Sequence, residues 1–227
     1  MARPVVVKLG GFAFPLEPDP LTLRAHADVL RRIAGEGHKL VVVAGGGELA
    51  RALIRAARSL GAPEALCDEL GIMASRLNAM LLAIAIGLPN PLEVPRSSRS
   101  LLRAAEHQDV VVVGGLQPGQ STDVVAVLAA ELLGSKLVVK ATDVDGVYTA
   151  DPREHPGARK IDRLSYDEAI QLLSGAEARA GTYALLDLQA IRLAKRSSIA
   201  IRVVDGRRPE NILKAIRGEE VGSLIGP

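Results

Sequence analysis

The sequence predicts an α/β protein whose mostly parallel central sheet is covered by helices. Short apolar runs of strand character alternate with longer segments in which apolar residues recur at helical spacing. Three of these runs stop at adjacent glycines: Gly10-Gly11, Gly45-Gly46-Gly47 and Gly114-Gly115. The order strand, glycine loop, helix is typical of parallel crossovers. Because such crossovers are right-handed, we expect the glycine loops at one edge of the sheet.

The elements of the first half follow from caps and breaks. In order they are a strand over Arg3 to Leu9, a helix from Asp19-Pro20 to Gly35, a strand over Lys39 to Ala44, a helix ending at Gly61, and a long helix over about Glu64 to Ile86. The helix that ends at Gly61 has apolar residues on one face, namely Leu49, Leu53, Ala56 and Leu60. In the long helix that follows, the predicted core positions are Leu70, Met73, Leu77 and Leu81.

The second half continues the alternation after a break at Pro89 to Pro95. The predicted elements are a basic helix over Ser97 to Glu106, a strand over Asp109 to Val113, a helix from Asp123 to near Gly134, a strand over Lys136 to Lys140, a helix from a Ser165–Glu168 capping box to about Leu173, a helix over Ala184 to Arg196, and strands over Ile199 to Val204 and Ser223 to Ile225.

One polar stretch, Ala141 to Arg153, directly follows a predicted strand. Asp143, Asp145 and Asp151 frame Gly146 there, and Asp151-Pro152 indicates a turn or a helix start. Loops just past strands are where α/β proteins bind ligands.

Composition narrows the function. The 227 residues suit one domain, and a formal net charge of +2 is too small to favour a nucleic-acid or anionic-membrane surface. A single cysteine, Cys67, allows no internal disulfide. The longest apolar segment, Met80 to Leu88, is well short of the ~20 residues that span a bilayer. With no signal peptide apparent, we expect a cytoplasmic protein.

Two common nucleotide-binding motifs do not fit the sequence. Gly45-x-Gly47-x-x-Ala50 fits the dinucleotide fingerprint, with Asp68 as the following acid, but no strand lies between Gly47 and Asp68 as a dehydrogenase requires. A Walker loop needs Gly-Lys-Ser/Thr, and no candidate glycine is followed by it.

Anion binding remains the best interpretation of the glycine loops. Backbone N–H groups at helix starts carry partial positive charge. Lys8 precedes Gly10, and Arg51 lies one helical turn past Gly47. Either residue alone more often faces solvent, but together with the loops they favour a phosphate site.

Five segments together resemble the amino-acid kinase family: Val7–Gly11, Val43–Gly47, Asp68–Ala79, Gly114–Asp123 and Thr142–Pro152. The resemblance covers nearly the whole chain, through Gly222–Ile225. It implies a three-layer α/β/α sandwich formed by residues 1–227 as a single domain. Within the family the archaeal branch that phosphorylates UMP is most similar, which implies transfer of the γ-phosphoryl of ATP to UMP, usually in a homohexamer.

The resemblance also implies roles for individual residues, with the N-terminal part holding mainly UMP and the C-terminal part mainly ATP. Lys8, Asp123 and Arg51 correspond to the catalytic residues, and Asp123 is expected to orient Lys8. The residues expected to bind ATP are Lys8, Leu9, Gly10, Gly11, Phe12, Gly47, Arg51, Thr142, Tyr148 and Asp151. Those expected to bind UMP are Gly46, Asp68, Leu116, Gln117, Pro118, Gly119, Gln120, Ser121 and Thr122.

Mg²⁺ is expected with ATP, held chiefly by ATP oxygens, so no residue is assigned as a metal ligand. Phe12 departs from the Ser usual in the family, and we expect its ring to turn outward while its backbone N–H binds. Ser75 replaces the usual Thr, and Lys140 matches only some relatives. The alternatives are a sister kinase acting on a carboxylate or carbamate and a non-catalytic nucleotide-binding or regulatory protein of the same fold.

Overall fold

A seven-stranded sheet forms the centre of the protein in the computed structural model, which describes residues 4–152, 154–177 and 185–227. The strands are β1 (Pro4–Leu9), β2 (Lys39–Ala44), β3 (Val110–Val113), β4 (Leu137–Thr142), β5 (Val147–Tyr148), β6 (Lys160–Ile161), β7 (Arg163–Leu164), β8 (Ala200–Asp205) and β9 (Ser223–Ile225). The sheet order is β3-β2-β1-β4-β8-β9-β7, and β5 and β6 form a separate antiparallel pair. Strands β3, β2, β1, β4 and β8 are parallel, and β9 is antiparallel to β8.

Helices cover both faces of this sheet. They are α1 (Pro20–Gly35), α2 (Gly47–Ser59), α3 (Glu64–Ile86), α4 (Ser98–His107), α5 (Thr122–Leu133), α6 (Tyr166–Glu177), α7 (Leu188–Ser197) and α8 (Glu210–Ile216). One buried cluster joins the sheet to α4, α5, α6 and α7, and a second joins its other face to α1, α3 and α8. The predicted α/β/α layers and the mostly parallel sheet are confirmed.

Helix caps explain why many predicted boundaries are correct. Asp19 caps α1 by accepting hydrogen bonds from the N–H groups of Leu21 and Thr22. Gly134 ends α5 in the left-handed conformation that favours glycine. The predicted capping box before α6 is also present, because Ser165 and Glu168 bond each other's backbone N–H groups.

Other boundaries differ from the prediction. Helix α7 begins at Leu188, because the Asp187 side chain caps it by accepting a hydrogen bond from Gln189 N. The predicted start at Ala184 lies outside the described residues, as do Arg3 and Arg153. The sequence did not predict β5, β6, β7 or α8. The three strands have two residues each, too few to show period-two alternation, and α8 has only two turns.

The predicted core face of α3 is correct only in part. Leu81 packs against the core as predicted and Leu70 is half-buried. Met73 and Leu77 are 57% and 56% exposed, whereas Ile72, Ala79 and Leu82 are buried against the sheet. Leu60, on the predicted apolar face of α2, is 87% exposed. Helix α3 has apolar residues on most of its sides, so its sequence gives no periodic signal for the face that meets the core.

Helix α3 is also long and apolar enough to cross a membrane by length and composition alone. The helix packs against α1, α2, β2 and β3, and core helices of this kind pass the same test.

Candidate active site

The glycine loops meet at one edge of the sheet, as the crossovers predict. Strands β1, β2, β3 and β4 are parallel neighbours, so the loops that follow them lie at the same edge. Backbone hydrogen bonds join the loops directly: Gly45 N donates to Leu9 O (2.9 Å), and Gly10 N donates to Ala141 O (2.9 Å).

Gly47 is required by its surroundings. Its φ of +65° is in the left-handed region, and a Cβ there would overlap the carbonyl oxygen of Phe14. This close approach also lets Glu48 N donate to Phe14 O at 3.0 Å. The start of α2 is therefore held against the turn after β1.

A buried cluster of Lys8, Asp123 and Lys140 lies below this edge. Lys8 on β1 and Lys140 on β4 are register partners, so their side chains emerge on the same face of the sheet. Asp123, in the first turn of α5, forms a salt bridge with Lys140 and lies 3.4 Å (Oδ1 to Nζ) from Lys8. Lys8 and Lys140 are only 8% and 5% exposed. Two ammonium groups and one carboxylate leave an excess positive charge beside the glycine loops.

Burial and mutual charge set the protonation of the cluster. Burial alone would raise the pKa of Asp123, but the ammonium groups of Lys140 and Lys8 outweigh it and hold the pKa well below its usual value. Burial lowers the pKa of Lys140 to about 8, with Asp123 opposing the shift and Lys8 adding to it. Asp123 Oδ1 accepts no hydrogen bond from the described residues. Asp123 is thus fully ionised and suited to orienting cations, not to accepting a proton.

Arg51 lies on the far side of the first glycine loop. It is exposed on α2, and a Cβ placed on Gly11 would lie 3.3 Å from Arg51 Nη1 and 3.3 Å from Gly47 Cα. The structure therefore brings Arg51, Gly11 and Gly47 together as expected from the sequence. A guanidinium beside backbone N–H groups is a common arrangement for binding phosphate.

A cavity of about 180 Å³ opens beside α3. Of the residues expected to bind UMP, those that line it are Gly46, Asp68, Gln120, Ser121 and Thr122. Leu116, Gln117, Pro118 and Gly119 are not among its lining residues. Leu116 packs in the core, and Gly119 N donates a 2.8 Å hydrogen bond to Asp68 Oδ2.

Polar residues of α3 fix the loops around this cavity, and the sequence reasoning missed them. Ser75 Oγ accepts from Gly115 N (2.7 Å), and Asn78 Nδ2 donates to Gly45 O (2.8 Å). Arg76 donates to the carbonyl oxygens of Gly115 (3.0 Å) and Leu116 (3.1 Å). The available signal was a run of polar residues inside an otherwise apolar helix, because buried polar groups are nearly always hydrogen-bonded.

The loop after β4 carries the residues expected to bind adenosine. Asp145 accepts from Tyr148 OH (2.7 Å) and lies 3.5 Å from Lys160 Nζ, so it holds the two sides of the turn together. The hydrogen bond to Asp145 raises the pKa of Tyr148. Asp151 is buried, and its carbonyl oxygen accepts from the N–H groups of the following turn. Thr142 ends β4 itself.

Phe12 does not turn outward. Its ring is half-buried and packs toward α1, with its centroid 5.8 Å from that of His26.

For the metal, no group of three or more His, Cys, Asp or Glu side chains suited to a cation occurs among the described residues.

Glycine loops, a charge cluster and a neighbouring cavity at one sheet edge define a protein that binds phosphate groups, of the class that transfers phosphoryl groups by positioning and charge. Comparison with known protein families identifies the family: residues 3–205 match the model of the amino acid kinase family. The chain belongs to that family.

Relatives within the family extend over the whole chain. A uridylate kinase from Hyperthermus butylicus is 48% identical over 224 residues, which are 98% of this chain and 97% of that protein. One from Archaeoglobus fulgidus is 43% identical, covering 97% of this chain and 99% of the relative.

Solved structures agree with these sequence relatives. The crystal structure of uridylate kinase from Archaeoglobus fulgidus has a TM-score of 0.87 at 41% identity and covers 98% of this chain and 99% of that one. A UMP kinase from Bacillus anthracis has a TM-score of 0.82 at 22% identity, which shows the shared fold alone.

Proposed function

We propose that this protein is a UMP kinase that transfers the γ-phosphoryl of ATP to UMP, giving UDP and ADP for pyrimidine nucleotide biosynthesis. The observation that carries the proposal is the position of the Lys8–Asp123–Lys140 cluster. Strand β1, which bears Lys8, lies between β2 and β4 in the sheet. The cavity beside Asp68 is reached from the β2 and β3 side, and the Thr142–Asp151 loop follows β4. The cationic cluster therefore lies between the two proposed nucleotide sites.

The two halves of the chain take different substrates in this proposal, within one domain over residues 1–227. Asp68 accepts hydrogen bonds from the ribose hydroxyls of UMP. Its carboxylate has acceptor capacity for these hydroxyls beside Gly119 N, since an ionised carboxylate offers about four lone-pair sites. The UMP-binding residues are Gly46, Asp68 and 116–122, and the ATP-binding residues are 8–12, Gly47, Arg51, Thr142, Tyr148 and Asp151.

The chemistry needs charge neutralisation rather than a base. The phosphate of UMP is already an anionic nucleophile, so catalysis consists of alignment and stabilisation of the transferring charge. Lys8, oriented by Asp123, supplies a cation below the glycine loop, and Arg51 supplies one beside it. Mg²⁺ supplies further neutralisation when it is bound with ATP. In this proposal the metal is held chiefly by ATP oxygens, because Mg²⁺ keeps several waters and takes few protein ligands.

Self-association is part of the proposal. Four apolar side chains of α3 form one exposed stripe, here called the α3 stripe: Leu66 (56%), Met73 (57%), Leu77 (56%) and Ile84 (54%). Contiguous exposed apolar surface of this kind marks a protein interface. We infer a homo-oligomer, with a homohexamer as the expected state, and a cytoplasmic setting.

A coupled assay of ADP release tests the function. UMP should be the preferred acceptor, and CMP, acetylglutamate, aspartate and carbamate serve as competing acceptors. Preference for a carboxylate or carbamate would identify a sister kinase. No ADP release with any acceptor, from protein that binds ATP, would identify a non-catalytic nucleotide-binding protein.

A further inference from the structure

Phe12 lies in a slot at the ends of three adjacent strands. The ends of β1, β4 and β8 are joined by two backbone hydrogen bonds, from Gly10 N to Ala141 O (2.9 Å) and from Gly206 N to Thr142 O (2.7 Å). The first bond connects the glycine loop after β1 with the end of β4, and the second connects the end of β4 with the residue that follows β8. The Phe12 ring packs across the same junction.

Glycines form the walls of this slot. A Cβ on Gly10 would lie 3.2 Å from Cδ1 of Phe12, and one on Gly206 would overlap Cζ of the ring and lie 2.8 Å from Ala141 Cβ. Neither glycine is among those with positive φ. Gly206 is therefore needed for space and not for its backbone conformation, and the ring fills the space that it leaves.

His26 closes the slot from α1. It is 1% exposed, and its ring nitrogens lie 2.8 Å from Thr22 O and 2.9 Å from Gly206 O. Both oxygens are acceptors, so the N–H of a neutral imidazole donates to one of them, according to its tautomer. The Phe12 and His26 rings are tilted by 54° with centroids 5.8 Å apart. That centroid separation is within the range of favourable contacts between aromatic rings.

The opposite side of the same loop faces the proposed chemistry. Gly11, one residue before Phe12, is the position at which a Cβ would lie 3.3 Å from Arg51 Nη1. A shift of Phe12 would therefore move the Gly11 backbone relative to Arg51. Displacements near 1 Å are enough to slow a reaction by about 10²-fold.

We infer that Phe12 and His26 are positioning residues that clamp the phosphate-binding glycine loop to the Thr142–Gly206 junction and so set the ATP site. The inference rests on the proposed function, and it concerns ATP and not UMP. Because the ring acts through packing, a hydroxyl at position 12 cannot replace it.

Phe12→Ser is the discriminating variant, because it supplies a hydroxyl but no ring. We expect weaker ATP binding by calorimetry and a fall in kcat/KM for ATP of on the order of 10²-fold, with KM for UMP changed less than about twofold. Phe12→Leu, which keeps most of the volume, should lie between Phe12→Ser and the wild type. His26→Gln should shift the same ATP parameters in the same direction.

Two controls separate positioning from loss of stability. Leu30→Ala removes a buried side chain of α1 in the same core and should lower the melting temperature without changing the ATP parameters. Gly206→Ala should impair ATP binding in the wild type and less so in the Phe12→Ala background, because the ring that it overlaps is then absent.

The inference is overturned if Phe12→Ser lowers only the melting temperature, as Leu30→Ala does, or if it improves ATP binding. Wild-type protein that binds ATP but does not phosphorylate UMP would refute the proposed function alone, and the dissociation constants for ATP would still decide the role of Phe12. Wild-type protein that does not bind ATP would refute both.

Discussion

Asp123 shows how one residue sets the behaviour of its neighbours. Burying three charged groups is costly unless they are paired, and here one carboxylate serves two ammonium groups. Replacing Asp123 would leave two buried like charges 3.4 Å or less from its position. Its ionised state is what keeps Lys8 and Lys140 together beneath the glycine loops.

The low pKa of Lys140 gives a pH prediction. Below about 8 the side chain is an ammonium, and above it the cation is lost. If that charge supports phosphate binding, kcat/KM for ATP should fall as pH rises above about 8, because this parameter reports ionisations of the free enzyme. Rate profiles from pH 6 to 10 for the wild type and Lys140→Arg provide the measurement.

Arginine keeps its charge over this pH range, so the alkaline fall should disappear or move upward in Lys140→Arg. An identical alkaline limb in both proteins would show that another group titrates there.

Asp68 gives the second prediction at the residue scale. Asp68→Ala removes the proposed acceptor of the ribose hydroxyls and the partner of Gly119 N. KM for UMP should rise by about 10- to 100-fold while KM for ATP changes little, as expected for lost hydrogen bonds to a charged group. Steady-state kinetics with each substrate varied in turn tests it. Glu69→Ala, an exposed neighbour on the same helix, is the control. An effect confined to ATP would show that the two nucleotide sites are assigned in reverse.

At the scale of elements, the sequence predicted what local patterns determine. Strand β2 and helix α3 begin and end as predicted, because apolar runs stop at glycines or caps that also stop the structure. The face of α3 could not be predicted, since its apolar residues surround the helix. The contacts of Ser75, Arg76 and Asn78 depend on which loops the tertiary fold brings to α3, and no local pattern contains that information.

The role of α3 as a support for the loops predicts a stability effect. Ser75→Ala leaves the buried N–H of Gly115 without its acceptor, which should lower the free energy of unfolding by about 1–3 kcal/mol. Urea denaturation measures this change. Ser59→Ala is the matched control, because Ser59 is exposed and bonds only a carbonyl of its own helix, and it should change stability by less than about 0.5 kcal/mol. Equal effects for both serines would contradict the supporting role.

For the whole molecule, the sheet order explains why distant segments form one site. Strand β1 lies beside β2 and β4, although residues 10–136 separate β1 from β4 in the chain. Lys8, Asp123 and the loop after β4 are brought together by this topology. The glycine loops indicated the shared edge, but the distances within the Lys8–Asp123–Lys140 cluster required the structure.

The last prediction concerns assembly through the α3 stripe. Met73→Glu with Leu77→Glu places two charges in the middle of this apolar surface, and burying unpaired charges at an interface is unfavourable. The wild type should elute as an oligomer of its 23.9 kDa chain, and the double variant should have a lower mass by light scattering. Leu21→Glu is the control, because Leu21 is 73% exposed on α1 and is not part of the stripe, so it should not change the mass. A monomeric wild type, or an unchanged mass in the double variant, would exclude the stripe as the interface.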